Sequence, residues 1–166
     1  SDRALAFTGN DDFAAFRDID TRGRYRDVYV SMLVRFTGTQ NVNDFLALWF
    51  EEAAFGAAPN IGIKMEDGSG ASVEDFFVRT QASNHVTVED IVNGDTYFIV
   101  GHLSKPNNGR RTVYDEFRLW VNPASLAVQP PEDAVSRGDG NISEFERIGF
   151  RSVNLDAGDR VVIDRL

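Results

Sequence analysis

The sequence contains no cysteine, which excludes disulfides, Cys-ligated zinc and thiol nucleophiles. It has only two histidines, His85 and His102. Neither stands in a local pattern with carboxylates, so a zinc site has no support. No Gly-x-Ser-x-Gly elbow accompanies them, so a serine triad has none either. Positive charge is scarce: 17 Lys and Arg against 26 Asp and Glu leave a net charge of −9. Binding a nucleic-acid backbone needs clustered cations to neutralise phosphates, so no nucleic acid is expected as a partner. An anionic membrane surface is disfavoured on the same ground. The densest basic stretches, Arg22–Arg26 and Arg110-Arg111, are not polybasic runs, and the acidic balance suits solubility. No apolar run approaches the roughly 18 residues of a membrane span, so no membrane insertion is expected. No leader is visible, since Ser1-Asp2-Arg3 runs straight into strand-like sequence; a processed segment would already have lost one.

What the sequence does have is aromatic and β-branched residues in alternating patterns. The 166 residues suit one domain, 1–166, long enough to bury a sizeable core. Thirteen Phe fit the pleated, half-buried surface of packed sheets, and 14 Gly supply turns.

The clearest unit is Tyr97–Pro123, read as two strands, Asp95–Leu103 and Asp115–Asn122, joined by a polar turn and stopped by Trp-Val-Asn-Pro. Val28–Thr37 alternates cleanly, with Val28, Val30, Met32, Val34 and Phe36 on one face. Asp44–Glu51 is apolar on both faces, as expected of a strand covered on both sides; a helix is the alternative. Further strands are expected at Ala4–Phe7, Asn60–Glu66, Asp75–Thr80, Ser143–Arg151 and Arg160–Leu166, with Val86–Val92 a strand or a bridging segment. Asp12–Asp20 is open between helix and strand. Asp67–Ser72 is a turn, and 124–140, with Pro130-Pro131 and Gly138-Asp139-Gly140, is a long loop. Nine to eleven strands without βα alternation predict an all-β antiparallel sandwich.

Several segments together resemble the concanavalin A-like (laminin-G-like) jelly-roll modules of secreted bacterial proteins. They are DRALAFTGN at the start, DVYVSMLVRFTG, the pair TYFIVGHLS and DEFRLWVNP, and the closing EFERIGFRS and GDRVVIDRL. The resemblance implies a jelly-roll β-sandwich whose first and last strands lie side by side. It also implies an extracellular or cell-surface setting within a larger protein, and carbohydrate recognition or a structural, adhesive role. Related jelly rolls often hold calcium; that implies Asp164 as a ligand, with Asp11 and Asp12 beside the first strand adding oxygens. Asp156 and Asp159 are other candidates, unless all of these are turn residues bonded to their own backbone. Retaining glucanases of this fold carry Glu-x-Asp-x-x-Glu along one strand. Asp115-Glu116 and Glu144-Phe145-Glu146 lack a third acid in register, and Glu51-Glu52 point opposite ways. Catalysis is therefore not the expectation, and a degenerate glycoside-cleaving enzyme remains only an alternative.

A glycan is the leading ligand class, and a sugar site needs an aromatic platform with polar groups around it. Trp120 shares a strand face with Arg118 and Asn122, which makes it the candidate half-exposed tryptophan of a concave groove; a covered core residue is the plainer reading. Trp49, in a doubly apolar strand, reads as core. Arg118, Arg35 and Arg79 interrupt apolar strands on the polar phase and are expected either to line the groove or to form solvated cross-strand pairs.

Overall fold

Period-two alternation makes strands, and strands with one apolar face must bury it. The computed structural model describes residues 4–9, 14–19, 25–51, 59–65, 74–106, 113–125, 130–138 and 140–166. Within them run twelve strands: β1 (Leu5–Thr8), β2 (Ala14–Asp18), β3 (Asp27–Thr37), β4 (Phe45–Glu51), β5 (Asn60–Lys64), β6 (Phe76–Arg79), β7 (Val86–Val88), β8 (Thr96–Ser104), β9 (Glu116–Val121), β10 (Ala134–Arg137), β11 (Arg147–Val153) and β12 (Arg160–Asp164). They form two six-stranded sheets, ordered β1-β12-β3-β8-β9-β10 and β2-β11-β4-β5-β6-β7. Neighbouring strands are antiparallel throughout. The jelly-roll sandwich expected from the sequence is therefore present, and β1 does lie against β12, with Leu5 opposite Ile163.

The core sits between the sheets. Met32, Val34 and Phe36 of β3, with Phe117 and Leu119 of β9, face Leu46, Leu48 and Phe50 of β4 and Phe76 and Val78 of β6. Phe50 meets Phe117 edge-on at 5.7 Å and Phe7 meets Phe150 at 5.9 Å, joining the two layers. Each such side chain stabilises the fold by about 1.5–3 kcal/mol through burial. Gly101 of β8 faces a tightly packed part of the core: a Cβ there would lie 2.7 Å from Ile61 Cδ1 and 3.0 Å from Phe117. Along one side the sheets are tied by hydroxyls, with Thr80 N donating to Ser136 Oγ (3.0 Å) and Ser136 Oγ to Asn84 O (2.6 Å).

The structure corrects three local expectations. The stretch 124–140 is not all loop, because Ala134–Arg137 pairs with β9, Ala134 opposite Leu119. Its inward Ala and Ser are too small to signal a strand amid prolines and glycines. The 12–20 stretch resolves as strand at Ala14–Asp18, along β11. The last hairpin begins later than expected, at Arg147; Phe145 before it is buried as a loop residue. The expected turn at 67–72 lies outside the described residues.

Candidate functional site

The outer face of the first sheet does not present the expected groove. Trp120 is covered, only 4% exposed, and its indole Nε1 donates to Pro130 O at 3.1 Å. The half-exposed tryptophan anticipated there is thus buried, because the segment entering β10 lies over it. Arg118 is ion-paired with Glu116 at 2.7 Å, and Arg137 reaches the same carboxylate at 2.7 Å. Asn122 takes a left-handed backbone (φ 46°), and its side-chain oxygen accepts the Phe98 amide at 2.8 Å, capping the hairpin. Arg35 is exposed on β3, in register with Thr96 rather than with any residue near Trp120. Arg79 belongs to the other sheet. The five candidates are therefore not one groove.

The outer face of the second sheet carries the organised cluster. Because β4 is apolar on both faces, Leu46, Leu48 and Phe50 enter the core while Phe45, Ala47 and Trp49 turn away from it. Phe77 of β6 joins them, its ring 5.4 Å from Phe45. Trp49 is thus buried, as its reading as a core residue expects, but in a second, smaller apolar cluster apart from the main core. Arg79 lies over this floor, its guanidinium carbon 5.3 Å from the Trp49 ring, 5.4 Å from Phe77 and 5.7 Å from Phe45. Such stacking is favourable because the ring faces are electron-rich. Arg79 Nε donates to Asn60 Oδ1 at 2.9 Å. Arg151 approaches from β11, on the opposite side of β4 in the strand order, with its guanidinium 6.0 Å from the Trp49 ring. Burial, and then repulsion from Arg151, hold the Arg79 pKa below its ordinary value.

Between these groups is a cavity of about 250 Å³, lined also by Lys64, Val153, Asn43 and Asn154. It is smaller than the roughly 300–1,000 Å³ of drug-sized pockets, so it suits one ring of a larger ligand. Trp49 Nε1 is buried with no hydrogen-bond partner in the protein. A buried donor left unpaired costs about 1–3 kcal/mol, and here that donor belongs to a residue of the cavity wall. Next to the cluster, at the end of β4, Glu51 is 1% exposed and bound by Arg147, Nε at 2.9 Å and Nη2 at 2.7 Å. Burial pushes the Glu51 pKa up, and Arg147 pulls it back.

Of the carboxylates considered for calcium, the described ones accept amide N–H groups. Asp11 and Asp12 lie outside the described residues. Asp164 Oδ1 accepts the Arg165 amide at 2.8 Å. Asp159 accepts the amides of Thr39 (2.9 Å) and Asp156 (2.8 Å), as a turn residue does. Among the described residues, no three acidic or imidazole side chains are grouped to hold a metal.

Sequence reasoning singled out Arg79 correctly as a charge interrupting an apolar strand but placed it with the wrong partners. The signal for its true partners was the doubled apolar pattern of β4, which supplies a second apolar face in need of a cover.

No protein-family model matches the sequence, and no curated protein matches it. Among solved structures the chain is similar to one described as a receptor binding domain, with a TM-score of 0.53 and 8% identity over 97% of this chain. It spans only 37% of that protein's chain. It is also similar to a glycosyl hydrolase family protein from Mycobacterium fortuitum, with a TM-score of 0.48, 10% identity, and coverage of 97% of this chain and 73% of that one. At such identities the first likeness shows the fold, an antiparallel two-sheet β-sandwich, and nothing finer.

Proposed function

We propose that this chain is a non-catalytic recognition module of the concanavalin A-like type, part of a larger exported or surface protein, that binds carbohydrate on the outer face of the second sheet. The observation that carries the reading is the Trp49 indole, whose buried N–H lacks an acceptor on the wall of a ring-sized cavity. Apolar ring faces of a sugar suit the Trp49–Phe45 surface, and its hydroxyls suit the asparagine and arginine side chains around it. Cleavage would need two carboxylates flanking the bond. The carboxylate next to this cluster, Glu51, is committed to Arg147, and among the described residues no acidic one lines the cavity; this favours binding over hydrolysis.

The test is a glycan array probed with the purified chain, followed by Trp49→Phe on the best hit. Affinity should fall at least about tenfold, the worth of one charge-free hydrogen bond and a larger ring, while the melting temperature stays close to wild type. Unchanged binding in Trp49→Phe would remove this face as the site.

A further inference from the structure

We infer that the Trp49 cavity selects an acidic sugar, its anionic group seated between Arg79 and Arg151; this deepens, and rests on, the recognition reading above. The chain as a whole carries a net charge of −9. Among the described residues the cavity wall nonetheless carries Arg79 and Arg151, with Lys64, and no carboxylate. In a protein so rich in acids, a wall of one sign opposite to the net charge is a local field that draws anions.

The Arg79 guanidinium is held rather than solvated. Arg79 is fixed over three aromatic rings and spends Nε on the neutral Asn60 oxygen. Among the described residues its terminal amines have no acceptor, and neither Arg79 nor Arg151 has a carboxylate in salt-bridge reach. Glu51 is near enough to feel Arg151, yet its Oε2 is taken by Arg147. Two guanidiniums that repel each other on a partly dry surface are destabilising by themselves. An anion between them removes that repulsion and supplies the missing acceptors. Guanidinium forks match the two oxygens of a carboxylate or sulfate. The aromatic floor then asks that the anion be carried on a ring, which points to uronate, sialate or sulfated sugar units rather than to a free inorganic anion. The first sheet gives the contrast within the same molecule: its Arg118 and Arg137 both have a carboxylate partner in Glu116.

The experiment probes an array of neutral, uronate-bearing, sialylated and sulfated oligosaccharides, then measures the best uronate or sialate ligand and its methyl ester by calorimetry at low and high ionic strength. The free acid should bind about tenfold or more tightly than the ester, and high salt should erase most of the difference. Arg151→Gln, at a half-exposed position, should abolish the preference without lowering the melting temperature. Arg79→Lys, which keeps charge but not the fork, should weaken it in part. Arg35→Gln on the other face should change nothing. Hits confined to sulfated sugars would support the same anion seat with sulfate as its occupant. Hits among neutral glycans alone, with Arg151→Gln inert, would overturn the acidic assignment and leave recognition standing. Silence across every class would overturn both.

Discussion

The two outer faces of this sandwich carry a tryptophan each, and the two are solved in opposite ways. On the first sheet Trp120 is roofed by the segment before β10 and its N–H is satisfied by Pro130. Around it Glu116 neutralises Arg118 and Arg137. On the second sheet Trp49 is buried mainly by side chains, Arg79 among them, and its N–H is unsatisfied. Burial, and then the like charge of Arg151, depress the Arg79 pKa. Each face keeps a buried donor without a partner, Arg118 Nε on the first and Trp49 Nε1 on the second, and of the two it is Trp49 that belongs to the wall of the cavity. Polar groups left unpaired in a folded protein are a sharper pointer to a ligand than aromatic residues are, since aromatic residues also serve as ordinary packing.

The contrast is broken most severely through ion pairs. Glu51 is buried and depends on Arg147. Arg147→Met should strand that carboxylate and cost about 3–5 kcal/mol, the usual penalty for an uncompensated buried charge. The equivalent change on the first face, Arg137→Met, removes a partner whose side chain is 58% exposed and leaves Arg118 on Glu116. It should cost less than about 1 kcal/mol. Urea unfolding of the two variants checks this, and similar losses would mean that the second face is no drier than the first.

The sandwich was legible in the sequence because its strands obey period two. Met32, Val34 and Phe36 marked the inward face of β3, and the 97–123 hairpin pairs as expected, Gly101 opposite Leu119. β10 was hidden because strand assignment from pattern needs apolar bulk, and Ala134 and Ser136 have none. The candidate site was half legible. Alternation identified Arg79 and Arg118 as polar interruptions but carries no information on which sheet a strand joins. That is decided by pairing between residues far apart, such as Arg79 with Asn60 and Trp120 with Val100. Nor does alternation tell a covered face from an open one. Trp120 shares its strand face with Arg118 and Asn122 and so reads as open, yet the chain passing at Pro130 covers it.

The tryptophans themselves give a smaller and more selective test. Trp120→Phe deletes a donor and orphans the Pro130 carbonyl, whereas Trp49→Phe deletes a donor that had no acceptor. Both lose similar ring volume, so the difference isolates the hydrogen bond. Trp120→Phe should be less stable than Trp49→Phe by about 1 kcal/mol. Equal losses would show that Trp49 N–H has a partner in solution when no ligand is bound.

A pH-dependent effect should come from the loop at the start of β4, beside the cavity residue Asn43. Asp44 is buried, its Oδ2 accepts the Asn41 amide at 2.8 Å, and its Oδ1 has no partner. Burial, reinforced by Asp159 and Asp156 and opposed by the Asn41 amide, raises its pKa from 3.8 to about 6. The folded chain therefore holds a proton on Asp44 that the unfolded chain releases between those values. Stability linked to this group must fall as pH rises from 3.8 to about 6 and stay low above it. Asp44→Asn keeps an oxygen for the Asn41 amide and removes the charge. Its melting temperature should exceed wild type at neutral pH, converge with it below pH 3.8, and vary less in between. Parallel melting curves for the two proteins across that range would mean that Asp44 is hydrated or paired in solution, and that the rim of the second face is wetter than its geometry implies.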